Sequence, residues 1–440
     1  MRKILALCLC VFMLFSLCGC DIFTADTAEL LSPPALTGDI FPIDEAIKKS
    51  VTTTYTLEYP SRGTYRSAIV QHDMDKDGIL EAFAFYSTQD TENTVMNINA
   101  VVSRQGEWKS VATQKITAGG VDRIDFSDLD NDGIDEILVG WEIYGTSELK
   151  LAVYSLGEKS LTQRMLEQYT HYCFCDLDKD DKNEIFIVRS FPAELRNTAH
   201  LYSLTSVGVS LVSSCELDST AKTLNHPIIS TLSNGVPAVY IDEIKGVGAV
   251  TEVIYLEKGQ LKNPLMNIDT RETTSTLRSA TLETKDINGD GILEIPVRRD
   301  VPTVTRTTEG EKQYLTDWCS FSGEQLTEQL TVQLTAFMNV SEGYYYAIPA
   351  KWLDKIAVLR DTENLLTEIY RFDNENSVSG ERLLYIKSVK KSDWDKGVYK
   401  KEALTEIVNN GETSFVCHIS DSAKLDGITI KEIKNDLKLY

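Results

Sequence analysis

Short runs of alternating apolar and polar residues cover most of the chain between residues 52 and 337. In one stretch, GVDRIDFSD leads into an acid-rich loop, EILVGWEI leaves it, ELKLAVYSL precedes a glycine turn and LTQRMLEQY follows. Strand-like runs spaced about 8 to 12 residues apart, with no helical pattern between them, are typical of an all-β fold. The pattern therefore predicts repeated units of four short strands.

Two independent markers repeat along this region. An acid-rich loop begins at four aspartates in steps of 55, 48 and 110 residues, namely Asp73, Asp128, Asp176 and Asp286. A glycine between two strand-like runs recurs in steps of 51, 51, 51 and 64 residues, at Gly106, Gly157, Gly208, Gly259 and Gly323. The step of 110 is twice 55, so one copy of the loop is degenerate. Both markers then count five units of about fifty residues.

The degenerate loop is expected near residue 230, where the chain reads STLSNGVPAVYI. Asn234 and Gly235 keep the turn, but Ser230, Leu232 and Ala238 replace the acids. Four-stranded units in tandem favour the blades of a propeller. We therefore expect a five-bladed β-propeller over residues 52–337, with a β-sandwich as the alternative.

Each acidic loop places oxygen-bearing side chains at alternate positions of a tight turn. Counted from the first Asp, Asp or Asn stands at positions 1, 3 and 5 and Glu at position 9, with Gly at position 6 in three of the four loops. Glycine supplies the positive φ that curls such a loop, so the carboxylates converge on one point. Several hard oxygens around one point suit Ca²⁺ better than Mg²⁺, which keeps its waters. Acidic turns without metal are the alternative.

An EF-hand also begins D-x-D-x-D-G, but it needs glutamate at position 12 and helices on both sides. Position 12 is apolar here, and the flanks are strand-like. The pattern resembles instead the FG-GAP or VCBS-type calcium-binding repeat of integrin-like propellers, whose loop joins the first two strands of a blade. That resemblance implies up to four Ca²⁺, with Asp181 of the third loop standing where glycine is expected. The implied ligands are Asp73, Asp75, Asp77, Glu81, Asp128, Asp130, Asp132, Glu136, Asp176, Asp178, Asp180, Glu184, Asp286, Asn288, Asp290 and Glu294.

The first residues have the organisation of an export signal. Arg2 and Lys3 precede an apolar run over residues 4–17, which is too short for a permanent membrane span. The sequence LCGC that follows resembles the bacterial lipobox, which implies that Cys20 is the lipid-modified first residue of the mature chain. An ordinary secretory signal is the alternative.

We accordingly expect a signal peptide at residues 1–19 and an extended tether at residues 20–51, where LLSPPALTGDIFP lacks a lasting periodicity. The protein would be lipid-anchored to the cell membrane on its extracytoplasmic face. The stretch LLSPPALTGD and the first repeat also resemble a group of Gram-positive VCBS-repeat lipoproteins. That resemblance implies no specific activity.

The charge balance excludes one class of partner. The formal net charge is −22, and it becomes −24 without Arg2 and Lys3. Nucleic-acid binding needs basic surface, so we expect no nucleic-acid partner. Five cysteines beyond Cys20 show no regular spacing, and a chain of this length builds a core without a disulfide framework.

Residues 338–440 leave the repeat and mix strand-like runs with one helix-like run, KKEALTEIVNN. We expect a small α+β domain there. Its first residues, IPAKWLDK, resemble PsbP/Mog1-like modules of bacterial lipoproteins.

The sequence favours a binding or interaction module over an enzyme. GxSxG, HExxH, Walker and GxGxxG motifs are absent from the chain. We expect a monomer whose partner is a glycan, a peptide or an envelope protein. One alternative is a glycoside hydrolase on a five-bladed propeller, for which Asp125, Glu142, Asp242 and Glu243 are spare carboxylates. The other is a structural role in the envelope.

The lipid assignment predicts the behaviour of one variant. Cys20→Ser removes the thiol that would carry the lipid, so the protein should be released into the medium or stay unprocessed. Cell fractionation with immunodetection measures this. A Cys20→Ser protein that is processed normally and still sediments with membranes would contradict the anchor.

Overall fold

The computed structural model describes residues 40–90, 93–205, 208–301, 313–323, 330–373 and 378–440. Strands dominate this part of the chain, and the predicted all-β class is confirmed. The chain divides into two compact units, one of residues 1–60, 66–118 and 156–161, the other of residues 61–65, 119–155 and 162–440. The predicted signal peptide and Cys20 lie outside the described residues. No helix within the described ranges is long and apolar enough to cross a membrane.

The first unit contains one antiparallel sheet and a helix. The sheet has the order β1-β3-β4-β5, and β2 also pairs with β3. Its strands are β1 (Tyr55–Leu57), β2 (Ile69–His72), β3 (Glu81–Asp90), β4 (Asn93–Arg104) and β5 (Glu107–Ile116). The helix, α1, spans Ile40–Ser50.

The tether was expected to have an extended conformation up to residue 51, but its last part forms helix α1. Ile43, Ala46 and Ile47 follow the i, i+3, i+4 spacing of a helical face, and all three are buried. They pack in one cluster with Ile69 and Ala82 of the sheet. Burying this apolar face stabilises a helix that is too short to be stable alone. The prediction of an extended chain is therefore wrong for residues 40–50.

Two successive four-stranded antiparallel sheets follow in the second unit, which holds all of both sheets except residues 156–161. Sheet two consists of β6 (Gly120–Ser127), β7 (Glu136–Glu142), β8 (Leu149–Gly157) and β9 (Ser160–Tyr169). Sheet three consists of β10 (His171–Cys175), β11 (Glu184–Phe191), β12 (Arg196–Thr205) and β13 (Gly208–Leu217). In both sheets the strands pair in chain order, as the four-strand pattern predicts.

Sheet four is built on the long hairpin of β16 and β17, and both β14 and β15 pair with β16. Its strands are β14 (Thr223–Leu224), β15 (Ile228–Thr231), β16 (Pro237–Lys245), β17 (Gly248–Glu257), β18 (Gln260–Lys262) and β21 (Arg278–Ser279). A separate two-stranded pair is formed by β19 (Met266–Asn267) and β20 (Glu272–Thr273).

Sheet five crosses the domain boundary that was expected between residues 337 and 338. It has the order β22-β23-β24-β25-β31, and the boundary falls inside β24. The last residues of the chain therefore complete this sheet. This pairing was not expected, because the C-terminal residues were predicted to form a domain of their own. Its strands are β22 (Ile295–Asp300), β23 (Tyr314–Phe321), β24 (Leu330–Asn339), β25 (Tyr344–Ala347) and β31 (Leu437–Leu439).

A further sheet, here called the C-terminal sheet, has the order β26-β27-β28-β30-β29. Its strands are β26 (Ile356–Asp361), β27 (Leu366–Asp373), β28 (Val378–Lys390), β29 (Thr405–Asn409) and β30 (Thr413–Ile419). Three short helices accompany it, α2 (Lys391–Asp395), α3 (Asp421–Leu425) and α4 (Ile430–Asp436). Short 3₁₀ turns lie at Pro192–Glu194 and Ala350–Trp352.

A helix was expected over residues 400–410, but a strand forms there instead. Residues 405–409 form β29, which pairs with β30. Thr405, Ile407 and Val408 are β-branched and fit a strand better than a helix. Pairing with a neighbouring strand decides the outcome here.

Apolar clusters join the sheets of the second unit in chain order. Residues of sheets two and three share one cluster, residues of sheets three and four share the next, and sheets four and five share a third. A further cluster joins sheet five to the C-terminal sheet. The five cysteines Cys173, Cys175, Cys215, Cys319 and Cys417 are free thiols. Within this unit each sheet thus packs on its successor through apolar side chains.

Candidate metal centre

The first aspartate of each acidic loop fixes the turn through backbone hydrogen bonds. The N–H of position 5 donates to its Oδ1 at 3.1 to 3.2 Å, and the N–H of position 6 donates to its Oδ2 at 2.8 to 3.1 Å. The N–H of position 7 donates to Oδ1 of position 5. Four loops of different sequence share this scheme, which satisfies backbone donors that no strand pairs.

The glutamate at position 9 ties each loop to the strand that follows. Its Oε2 accepts the N–H of position 2 at 2.9 to 3.1 Å. Three of these glutamates begin a strand, since Glu81 opens β3, Glu136 opens β7 and Glu184 opens β11. Glu294 directly precedes β22. The carboxylate is therefore held at the junction of loop and sheet.

Each loop also needs two residues with positive φ, at positions 4 and 6. The pairs are Lys76 and Gly78, Asn131 and Gly133, Lys179 and Asp181, and Gly289 and Gly291. Asp181 adopts a φ of 65°, in the same left-handed region as the glycines at its position in the other loops. The third loop therefore forms despite the missing glycine, with some backbone strain at Asp181.

The loops gather carboxylate oxygens at one point. In the first three loops, ligand oxygens lie within 4.8 Å of one another. The groups are Asp73, Asp75 and Glu81; Asp128, Asp130 and Glu136; and Asp176, Asp178, Asp180 and Glu184. The third loop thus assembles its full set, whereas Asp77 and Asp132 lie outside the groups of their loops.

The chemistry of this donor set fits a calcium ion. It consists of oxygen atoms only, held on a turn that leaves them close together, which is the ligand type Ca²⁺ prefers. Asp130 Oδ1 is buried and accepts no hydrogen bond from the described residues. A buried acceptor without a donor is costly, and a cation at this point would satisfy it.

The surroundings of the glutamate at position 9 raise its pKa in all four loops. Burial, followed by the charges of nearby loop aspartates, raises the pKa of Glu136, Glu184 and Glu294 to about 7. Burial also raises the pKa of Glu81. Clustered carboxylates disfavour one another's ionised forms, and a positive charge among them would reverse that effect.

The fourth loop differs through Asn288. Its Oδ1 accepts the N–H of Asp290 at 2.8 Å. Its Nδ2 donates to Asp290 Oδ2 at 3.0 Å and to Glu294 Oε1 at 2.9 Å. An amide donor therefore lies between the two carboxylates that would face a cation. Turning the amide over would give up the bond to the Asp290 N–H, so this loop suits a cation less well than the others.

The degenerate turn between β15 and β16 keeps its shape by other means. Gly235 has a φ of 81°, and its N–H donates to Leu232 O at 2.8 Å. Asn234 uses its Oδ1 to accept the N–H of Val236. Leu232 is 1% exposed and packs with Tyr240, so an apolar contact replaces the acids of the other loops.

The spare carboxylates named for a hydrolase all have structural partners. Asp125 forms an ion pair with Arg123 at 2.7 Å and accepts from the Tyr172 hydroxyl at 2.5 Å. Asp242 is buried and pairs with Arg278 at 2.7 Å, and Glu142 accepts from Ser61 at 2.7 Å. No described contact brings these carboxylates together as an acid and nucleophile pair.

Glu243 belongs instead to a buried acidic pair with Glu252. Both are fully buried. Glu252 accepts from the Asn263 amide, the Thr273 hydroxyl and the Asp218 N–H, at 2.8, 2.8 and 3.0 Å. Burial and then the charge of Glu252 raise the pKa of Glu243 well above its usual value. Burial therefore favours the neutral form of Glu243, which sequence spacing alone does not reveal.

Comparison with known proteins adds little. No family model and no curated protein match the chain. Among solved structures, the rhamnogalacturonan lyase YesW has 12% identity and a TM-score of 0.30, covering 74% of this chain and 83% of its own. A Bacillus licheniformis rhamnogalacturonan lyase has 11% identity and a TM-score of 0.32, covering 74% and 76%. A Pseudomonas aeruginosa periplasmic gluconolactonase has 12% identity and a TM-score of 0.25, covering 73% and 86%. These neighbours are β-propeller-like, but likenesses at this level carry no argument about function.

Asn288 yields a prediction about the relative strength of the loops. Asn288→Asp replaces the amide donor with a carboxylate oxygen, so the fourth loop should gain Ca²⁺ affinity by about tenfold. Asp75→Asn makes the reciprocal change in the first loop and should weaken it by a similar factor. Calcium titration followed by calorimetry measures both.

The matched control is Asn267→Asp, the same exchange in a turn outside the acidic loops, where Asn267 Oδ1 accepts from Asp269 N–H. It should leave the calcium titration unchanged. Equal effects of Asn288→Asp and Asn267→Asp would show that only net charge matters.

The Glu243 pair predicts a pH dependence of stability. The folded state keeps a proton on Glu243 that the unfolded state loses above its ordinary pKa. Stability should therefore fall as pH rises from about 5 to 8, with a slope of up to about 1.4 kcal/mol per pH unit from this group.

Glu243→Gln stays neutral and can still donate to Glu252, so it should flatten the slope. Denaturant unfolding at several pH values and saturating Ca²⁺ measures it. Glu257→Gln, at an exposed glutamate on β17, is the control and should keep the wild-type slope. If Glu243→Gln leaves the slope unchanged, Glu243 is not the group that retains a proton in the folded state.

Proposed function

We propose that this chain is a membrane-anchored, extracytoplasmic lipoprotein whose calcium-stabilised β-propeller is a binding module. The propeller would have five blades, formed by the five sheets of residues 55–347, and would belong to the FG-GAP or VCBS type. Its partner would be a glycan, a peptide or an envelope protein.

The observation that carries the proposal is the shared hydrogen-bond scheme of the four acidic loops. The same donors and acceptors recur at the same positions in loops starting at Asp73, Asp128, Asp176 and Asp286. The first three loops join a first strand to a second strand, and the bridge between Lys285 and Glu294 flanks the fourth. This is the place that the calcium loop occupies in the repeat that the sequence resembles.

The residues of each loop have distinct tasks in this proposal. The carboxylates at positions 1, 3 and 5 would supply ligand oxygens, and the glutamate at position 9 would join them from the following strand. The backbone bonds to position 1 hold the oxygens near one another before any ion binds, which lowers the cost of ordering the loop. A bound Ca²⁺ would supply the charge that offsets carboxylate repulsion.

A role in binding agrees with the distribution of the loops. Metal would stiffen one end of each of the four sheets that have an acidic loop, and connecting segments at sheet ends are where rigid scaffolds carry binding residues. The four loops use 15 of the 66 acidic residues, so much of the negative charge has a local purpose.

Glycoside hydrolysis is the second candidate function. The structural neighbours named above include lyases and a lactonase, although their low TM-scores lend no weight. Asp125 and Glu142 remain the spare carboxylates that are not fully buried, and they would be the first to test. A glycan array read for both binding and cleavage distinguishes the two functions.

Calcium removal tests the proposal. Extracellular modules bind Ca²⁺ with a Kd of about 10⁻⁴ to 10⁻³ M. At about 1 mM free Ca²⁺, each site then adds roughly 0.4 to 1.4 kcal/mol, so four sites add roughly 2 to 6 kcal/mol. Chelation should lower the melting temperature by about 5 to 15 °C. Differential scanning calorimetry with and without chelator measures the shift.

Re-addition of Ca²⁺ should restore the melting temperature, whereas equal Mg²⁺ should restore little, since Mg²⁺ rarely uses an all-protein site. An unchanged transition after chelation, or a fitted stoichiometry near zero, would mean that the loops are acidic turns without metal.

A further inference from the structure

A cavity of about 370 Å³ lies in the second unit beside sheet five. Residues of β21, β22, β23 and β24 line it, together with Arg360 of β26 and Thr362 just after that strand. This volume is at the lower end of the range for small-ligand sites, so it suits a small molecule or one terminal unit of a larger one.

Three arginines meet at this cavity, Arg278, Arg298 and Arg360. None of its described lining residues is Asp or Glu, although the chain has 66 acids against 44 basic residues. Each arginine has a carboxylate partner outside the described lining, namely Asp242, Asp300 and Glu342 respectively. The guanidinium groups therefore line the cavity while their counter-charges do not.

Among the described residues, Arg298 pairs with one carboxylate and forms no side-chain hydrogen bond. Its Nε contacts Asp300 Oδ1 at 3.2 Å, and its guanidinium carbon lies 4.4 Å from the centre of the Tyr314 ring. Stacking fixes the plane of the guanidinium, and a fixed planar fork suits a carboxylate with two parallel hydrogen bonds. Arg278, which is 3% exposed, is held by Leu282 O, Thr276 O and Asp242, so its charge is balanced by Asp242 and Arg298 is the arginine left to meet an anion.

The rest of the wall combines ring faces with hydroxyl groups. Phe337 is buried and Tyr314 half-buried. Five hydroxyl side chains also line the cavity, namely Ser279, Thr281, Thr316, Ser341 and Thr362. Rings beside hydroxyls suit a ligand that has both apolar C–H faces and several hydroxyls, which is the chemistry of a sugar.

We propose that this cavity binds a carboxylate-bearing sugar, with Arg298 on the carboxylate and the hydroxyls and ring faces on the body. The inference rests on the proposed binding function and names a ligand class for it. The acidic loops take no part in this site, so the two can fail separately.

Isothermal titration calorimetry with glucuronate as the probe tests the site on the calcium-loaded protein. Glucose is the matched neutral probe, and lactate tests a carboxylate without a sugar body. We expect glucuronate to bind with a Kd of about 1 mM. Glucose and lactate should each bind at least about tenfold more weakly, because each lacks one half of the recognition.

Arg298→Gln should weaken glucuronate binding by about tenfold or more, through loss of a charged hydrogen bond. Arg382→Gln is a closely matched control, because Arg382 also pairs with a carboxylate, Glu368, and lies over a ring, Tyr385, at 4.6 Å. The two arginine side chains are 42% and 44% exposed. The control should bind glucuronate as the wild type does.

Three results would overturn the proposal. They are no heat from glucuronate at tens of millimolar, equal binding of glucose, and equal weakening by Arg298→Gln and Arg382→Gln. The first two need only the wild-type protein, so they hold even where a variant fails to fold. A chelator-sensitive melting temperature without glucuronate binding would keep the calcium proposal and reject this one.

Discussion

The repeated part of this structure depends on one local interaction, the acceptance of two backbone N–H groups by the first aspartate of each acidic loop. Without those bonds, these donors of an exposed loop would turn to water, and the backbone would lose the contacts that close the turn. With them, the turn closes and the glutamate at position 9 starts the next strand in register. The same contact therefore shapes the backbone and gathers the carboxylates, so fold and candidate site cannot be changed independently.

The acids also oppose the turn that they create. Carboxylates within 4.8 Å of one another repel, and burial of the position 9 glutamate adds to that cost. The turn between β15 and β16 avoids this repulsion, because buried Leu232 makes an apolar contact there in place of a cluster of carboxylates. Two solutions for one turn thus lie in one chain, and only the apolar one is free of carboxylate repulsion.

Local patterns predicted a large part of this fold. Alternation and acid spacing located the strands on both sides of the acidic loops. Both signals depend on residues close in sequence, since burial alternates every two residues in a strand and turns need particular residue types. Helix α1 was missed because Ile43, Ala46 and Ile47 form barely two turns after a proline-rich stretch. Strand β29 and the return of β31 to sheet five depend on partners far along the chain. The amide of Asn288 and the protonation of Glu243 depend on neighbours in space, which spacing cannot supply.

Sheet four shows what replaces the acidic loop inside the second unit. Its turn carries no carboxylates, whereas Asp218, Glu243 and Glu252 are fully buried, with Glu243 towards the opposite end of β16. Lys245 pairs with Asp218 at 2.9 Å, and hydroxyl and amide donors hold Glu252. Fixed protein donors therefore hold Asp218 and Glu252, while burial favours the neutral form of Glu243, whose two carboxyl oxygens accept no hydrogen bond from the described residues. Buried polar groups with satisfied partners, such as Asp218 and Glu252, help to specify one arrangement of strands, at the cost of removing charge from water. Under the calcium proposal, the acidic loops would take that balance from a cation in solution, whereas sheet four supplies most of it from its own side chains.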